Sequence, residues 1–311
     1  MTNPHHPATS GYPRDMVGYG RNASDPRWPG GAAVAVQIVL NYEEGGEHCV
    51  LHGDAHSESY LTEVVGTQPW PGERNLSVES MYEYGSRAGF WRIHRLFASR
   101  GVPLTVYAVT MALARNPEAG AAMVEAGWEV ASHACRWIDY RGMPEAEERA
   151  DIAESVRLQT AVVGSRPLGW YTGRFGPNTR RLLSEEGGFL YFADSYADDL
   201  PYWEDVGGKP ELIVPYTLDN NDMRFAVAQG FNTGEDFSRY LIDAFDVLHR
   251  EGLEGRPKMM SVGLHNRLVG RPGRFAGLVR FLDHVQCHDR VWLCRRVDIA
   301  RHWRARFPPP A

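Results

Sequence analysis

The chain has 311 residues, with 39 acidic against 33 basic side chains and a formal net charge of −6. That length suits one large α/β domain with a sizeable core, and the acidic balance offers no footprint for nucleic acid. No apolar run approaches the ~20 residues that span a bilayer, so no membrane association is expected.

Residues 1–15 carry no apolar segment of signal-peptide type. Cys49, Cys135, Cys287 and Cys294 form no C-x-x-C pair, which fits a reduced, cytoplasmic setting. Residues 1–30 are rich in Pro, Gly and Asn and read as an irregular arm laid on the body or on a partner subunit. Residues 31–311 read as a single domain.

In chain order, "AAVAVQIVLN" (32–41) is a continuous β-branched run, as expected of a strand buried on both faces. A long loop follows, then an amphipathic helix over 78–100 closed by a glycine. "PLTVYAV" (103–109) and "WEVAS" (128–132) are strands separated by a helix near 116–126. A helix beginning "PEAEERAD" has Pro and acids in its first turn and Gly at its end. "PLGWYTG" is a fourth strand, with a helix over 177–186 behind it. "FLYFA", "ELIVP", "MMSVGL" and "VWLC" complete the strands, with helices near 234–251, 274–286 and 296–306. Strand–helix alternation of this length predicts a parallel sheet with outer helices, and seven or eight units favour a (β/α) barrel over an open sheet.

In such folds functional side chains collect where strands end. The first strand ends in "LNYEEGGEH", offering Glu43 and Glu44. The third ends in "SHACRW", offering His133. The fourth leads to Arg174, the fifth to Asp194, Asp198 and Asp199. "PYTLDNND" offers Asp219 and Asn220, and "VGLHNRL" offers His265. Taken singly, a strand-end carboxylate is a solvated loop residue or a helix cap, a histidine is structural, and Cys135 is a small buried side chain. The coincidence of two carboxylates, two histidines and an arginine at successive strand ends points to one shared site.

At these residues the chain resembles the polysaccharide deacetylase (carbohydrate esterase) superfamily, whose fold is a distorted (β/α) barrel. In that family a first motif places a catalytic base and then a metal ligand, and "NYEE" matches it with Glu43 and Glu44. The His-x-x-x-His metal motif is matched by "HACRW", which keeps His133 but puts Trp137 in the second place. "GRFGPNT" resembles the Arg-containing turn through Arg174, "DSYADDLPYW" the Asp and Trp segment, and "VGLH" the Leu-x-His motif through His265. An indole has no lone pair for a metal. With "YPRDMVGYGRN" and "LNYEEGGEHCVLHGDAHSE", the chain is similar to a metal-independent branch, the allantoinases of purine catabolism.

That resemblance implies hydrolysis of a cyclic amide without a cofactor; if a metal binds, Glu44 and His133 would hold it. It implies Glu43 as general base and Glu44 as a second base or substrate ligand. Arg174 would orient Glu43 or donate to a ring carbonyl. His133 and His265 would serve as oxyanion donor and general acid in undetermined order, with Trp137 walling the pocket and Asp199 and Asn220 on the ureido arm. It further implies a small-molecule substrate, allantoin, and a homo-oligomer, specifically a tetramer. A cyclic imide hydrolase, a metal-dependent N-deacetylase and a catalytically dead, ligand-binding barrel are the alternatives.

Overall fold

A computed structural model describes residues 12–21, 23–64 and 66–309; the first eleven residues of the expected irregular arm lie outside them. Among the described residues nine strands are interspersed with helices, the fifth, sixth and seventh following one another directly. They are β1 (Val34–Tyr42), β2 (Thr105–Ala108), β3 (Glu129–Ser132), β4 (Gly169–Trp170), β5 (Tyr191–Phe192), β6 (Tyr202–Val206), β7 (Lys209–Ile213), β8 (Lys258–His265) and β9 (Val291–Cys294). The helices are α1 (Leu76–Tyr84), α2 (Phe90–Arg100), α3 (Thr110–Arg115), α4 (Pro117–Glu125), α5 (Glu145–Val163), α6 (Thr179–Glu186), α7 (Gly234–Leu253), α8 (Pro272–Gln286) and α9 (Arg296–Arg306).

The strand order is β6-β7-β5-β4-β3-β2-β1-β8, with β9 paired to the N-terminal half of β1. All pairings are parallel except the β6–β7 hairpin, which the sequence reading did not anticipate, as it did not anticipate α3. The sheet curls toward closure. The outer edge of β8 meets the irregular segments after β5 and β7, through Met259 N donating to Asp199 O and Gly263 N donating to Asn220 O. The result is a distorted (β/α) barrel.

Side-chain parity on β1 divides the core, because successive residues of a strand point to opposite faces. Val34, Val36, Ile38, Leu40 and Tyr42 face the helix layer, packing with Phe90, Ile93, Phe97, Phe281 and Leu282. Ala35 and Val39 face the barrel interior with Tyr107, Ala131, Tyr171 and Tyr191. The continuous apolar run of β1 is thus buried on both sides, as expected for a central parallel strand.

The helix expected over 78–100 is two helices joined by a π-helical turn over 85–89. Gly85 and Gly89 sit in that turn, where a Cβ on Gly85 would overlap the Glu44 carboxylate and one on Gly89 would overlap the Asn266 carbonyl. At the other end of the barrel the arm is tied to the body. Trp28 is buried among Trp292, His302 and Trp303, and the Tyr19 hydroxyl donates to Pro201 O.

Candidate active site

The register of the parallel strands brings their C-terminal ends level. Asn41 lies opposite His265 across β1 and β8, and Tyr42 opposite Ala108 across β1 and β2; His133 N then donates to Ala108 O. Continuing the inward parity of β1 past its end carries Glu43 into the barrel mouth. His133, one residue beyond β3, and His265, at the end of β8, turn into the same mouth. His133 Nε2 and His265 Nε2 each stand 3.4 Å from Glu43 Oε1.

These groups form the floor of a cavity of about 490 Å³. Its walls include Tyr60, Trp137, Tyr171, Arg174 and Tyr216. The backbone at His133 is held in an uncommon shape: Ala134 has φ 62, fixed by its N–H donating to Ser132 Oγ and its carbonyl accepting from Thr110 N. A non-glycine residue at positive φ costs free energy and persists only where the surroundings over-determine it. Gly173, at φ 77, lets the next loop pass against the His133 ring.

Glu43 is buried and ionised. Burial alone pushes its carboxyl up, but the Arg267 guanidinium, the His265 charge and hydrogen bonding from both imidazoles outweigh it and hold the group well below the usual carboxylate range. Arg267 Nη1 lies 2.5 Å from Glu43 Oε2. Arg174, expected either to orient Glu43 or to donate to a ring carbonyl, does not meet Glu43: it pairs with Glu58 at 3.4 Å and lies over the Trp137 indole, 3.9 Å from the ring centroid. Arg267 lies over the same indole at 5.2 Å and over Tyr82 at 4.3 Å. Trp137 therefore serves as an aromatic surface for two cations, an arrangement favoured by its ring quadrupole.

His265 is oriented by a residue that sequence reasoning passed over. Its Nδ1 lies 2.6 Å from Asp222 Oδ1; a carboxylate only accepts, so Nδ1 carries the proton and Nε2 faces the pocket. Asp222 Oδ2 accepts from His265 N and Val269 N at 2.8 and 2.9 Å. Burial pushes the His265 imidazole down, but Glu43 and Asp222 reverse this and raise it to about 9. His265 is accordingly a cation at neutral pH. His133 Nδ1 is buried without a partner.

The structure corrects three expectations. Glu44, as the next residue after Glu43, points away from the mouth. Its Oε2 accepts from Asn266 Nδ2 at 2.9 Å and from Glu43 N at 3.0 Å, so it is neither placed as a base nor reachable by a substrate in the cavity. Burial raises its carboxyl, only partly countered by Arg267 and Asn266. Asp199 and Asn220 line a neighbouring cavity of about 880 Å³ that shares Tyr196, Tyr216 and Leu218 with the first. The irregular course after β5 and β7 carries them past the mouth.

The residues that reasoning missed are Arg267 and Asp222. Arg267 stands two places beyond His265 in "HNR", and Asp222 ends the "DNND" run. A charged residue next to a candidate histidine was the available signal, but nothing in the spacing said which way either would turn.

A metal bound as the deacetylase motifs imply needs ligands from Glu44, His133 and the position of Trp137. Glu44 faces away and the indole offers no lone pair. Among the described residues, no three acid, cysteine or imidazole donors at this mouth converge on one point. The second oxygen of Glu43 is taken by a guanidinium. The side chains present do not fit a metal.

The family model for polysaccharide deacetylase matches residues 73–187. A relative from Schizosaccharomyces pombe that bears the name "Putative polysaccharide deacetylase" is 46% identical over 314 residues, spanning 95% of this chain and 98% of the relative. The chain belongs to the polysaccharide deacetylase family. Two solved structures resemble it in particular, each with a TM-score of 0.93, 60% identity and coverage of 96% of this chain and 99% of the other. One is described as a probable polysaccharide deacetylase from Pseudomonas aeruginosa PAO1. The other is PuuE allantoinase.

Proposed function

We propose that this protein is an allantoinase, a hydrolase that opens the hydantoin ring of allantoin to allantoate by cleaving a cyclic amide. The observation that carries the chemistry is the contact between a buried carboxylate and a buried imidazole on one cavity floor, Glu43 Oε1 and His265 Nε2, 3.4 Å apart. The likeness to PuuE allantoinase over nearly the whole chain supports the substrate.

Amide hydrolysis needs a base for water, donors for the developing oxyanion and an acid for the leaving nitrogen. Glu43 Oε1 takes a proton from water as its oxygen bonds to the ring carbonyl carbon. His265 Nε2 delivers its proton to the ring nitrogen as the C–N bond breaks. The proton on Glu43 then returns to His265 across their shared contact, which restores both groups. Asp222 stabilises the imidazolium and fixes its tautomer. Arg174 and His133 donate to the carbonyl oxygen, with the Trp137 face against the flat ring. Removing one such donor typically costs ~3 kcal/mol of barrier.

In this reading no metal takes part: Arg174 and Arg267 supply fixed positive charge beside the carboxylate and the carbonyl. The enzyme works in the cytoplasm in purine breakdown, as a homotetramer. Exposed Tyr12, Met16 and Val17 on the arm support subunit contacts. Native mass measurement reads the assembly.

The deciding experiment gives the chelator-treated protein allantoin, succinimide, dihydrouracil and an N-acetylated chitooligosaccharide. Allantoate formation with undiminished rate after chelation is expected. Turnover of succinimide or dihydrouracil in preference to allantoin would make it a cyclic imide or amide hydrolase of another class. Acetate release restored by added metal would make it a deacetylase.

A further inference from the structure

On the outside of the barrel, away from the active cavity, an imidazole-rich cluster bridges α7 and α8. His284 lies in the last turn of α8, and His288 lies just past the helix end, where its N–H donates to Val285 O. Asp246 faces them from α7, with its Oδ1 2.7 Å from His284 Nε2. The ring centroids of His284 and His288 are 4.5 Å apart. One donor atom from each of Asp246, His284 and His288 lies within 4.8 Å of the other two. This is the only such set of acid, cysteine and imidazole donors among the described residues.

The tautomer of His288 is fixed by structure. Its Nδ1 lies 2.8 Å from His284 O; a carbonyl only accepts, so Nδ1 carries a hydrogen and Nε2 is the ring nitrogen left for another partner. That backbone support of a ligating imidazole is the arrangement metal-binding histidines require. The buried ring of Phe245 backs the cluster, with centroids 5.6 Å from His284 and 5.1 Å from His288, and sets where both imidazoles stand. The proton that His284 Nε2 shares with Asp246 occupies the position a cation would take.

We infer that Asp246, His284 and His288 form a binding site for a divalent transition metal of the zinc type, with water completing the tetrahedron, that fastens α7 to α8 without entering catalysis. Two imidazoles and a carboxylate are the donor set that zinc accepts with an open fourth position. The site shares no residue with the cavity holding Glu43. An ion carried by the purified protein would thus reside here, and its removal would leave turnover intact.

Chelator-stripped full-length protein is titrated with Zn²⁺ by calorimetry and followed by thermal unfolding. One ion per chain is expected, at micromolar Kd or tighter, with Tm raised by roughly 4 °C at about 100 times Kd. His284→Ala and His288→Gln should keep the metal-free Tm and the turnover rate while losing at least ~10-fold in affinity. If one variant unfolds early, the other serves alone. No binding below about 1 mM, or unaltered binding in the variants, overturns the inference. So does affinity that disappears only when His133 is replaced. These readouts concern the ion and not allantoin, so they stand apart from the proposed ring hydrolysis.

Discussion

Arg267 Nη1 lies 2.5 Å from Glu43 Oε2, with both side chains inside the barrel mouth and almost wholly out of water. A buried carboxylate is costly unless paired, so this guanidinium is what permits Glu43 to be an anion where a substrate must bind. Arg267→Met should raise the Glu43 carboxyl, lower kcat by ~100-fold or more, and destabilise the fold by ~3–5 kcal/mol. Arg267→Lys keeps the charge but not the planar fork, and should recover part of both. Denaturant unfolding and allantoin turnover measure the two effects; full activity in Arg267→Met would sink the assignment.

Glu43→Gln is nearly isosteric and removes the base. Turnover should fall by ~100- to 10,000-fold with circular dichroism unchanged. A variant retaining wild-type rate would show that another group activates water.

The pH dependence of kcat/KM follows from the two shifted groups. Glu43 is ionised throughout the neutral range because its carboxyl is held low. Activity should therefore decline only on the alkaline side, as His265 loses its proton near pH 9. In His265→Gln that limb should vanish together with most of the rate.

Stability should carry the same signature. The folded-state value of His265 is raised from 6.5 to about 9. Its stabilisation is therefore complete below pH 6.5 and lost as the pH climbs through 9, up to about 3 kcal/mol. Glu43 acts in the opposite direction, its contribution being present above pH 4.5 and lost on further acidification. Urea midpoints between pH 5 and 10 test this, and a flat profile above pH 7 would refute the imidazolium.

Restoring the deacetylase pattern by Trp137→His should not create a catalytic metal centre, since Glu44 stays turned toward Asn266. The substitution should instead weaken allantoin binding, because Arg174 and Arg267 lose their common aromatic face. A rise in KM of about 10-fold or more is expected. Zinc-dependent turnover in this variant would contradict the geometry.

Gly85→Ala tests the π-helical turn. A methyl group there collides with the Glu44 carboxylate, and overpacking of this kind costs ~1–3 kcal/mol. Thermal unfolding should register the loss with little change in KM.

Much of this was readable in the chain. β1 and β8 are long, largely apolar runs buried on both faces, β2 and β3 are shorter, largely buried runs that each follow a glycine, and caps such as Gly101 and Gly164 mark helix ends at φ 61 and 76. The β6–β7 hairpin was not legible, because "YWEDV" lies half exposed and offers no apolar run of its own. Strand parity would have separated Glu43 from Glu44: adjacent residues cannot both face the mouth, and the inward-facing Val39 and Asn41 already choose the first. Asp199 and Asn220 lie in irregular chain, where no period predicts direction.

The sequence by itself determined which side chains reach the strand ends, because that follows from local pattern, while the place of Trp137 at a metal-ligand position is what the resemblance to the deacetylase motif implies. Only the tertiary structure decided partners. Arg267 rather than Arg174 meets Glu43, and Asp222 rather than a neighbouring acid meets His265, because those contacts join segments 224 and 43 residues apart. Their geometry depends on how the sheet curls and how the loops cross its mouth, which no local periodicity encodes.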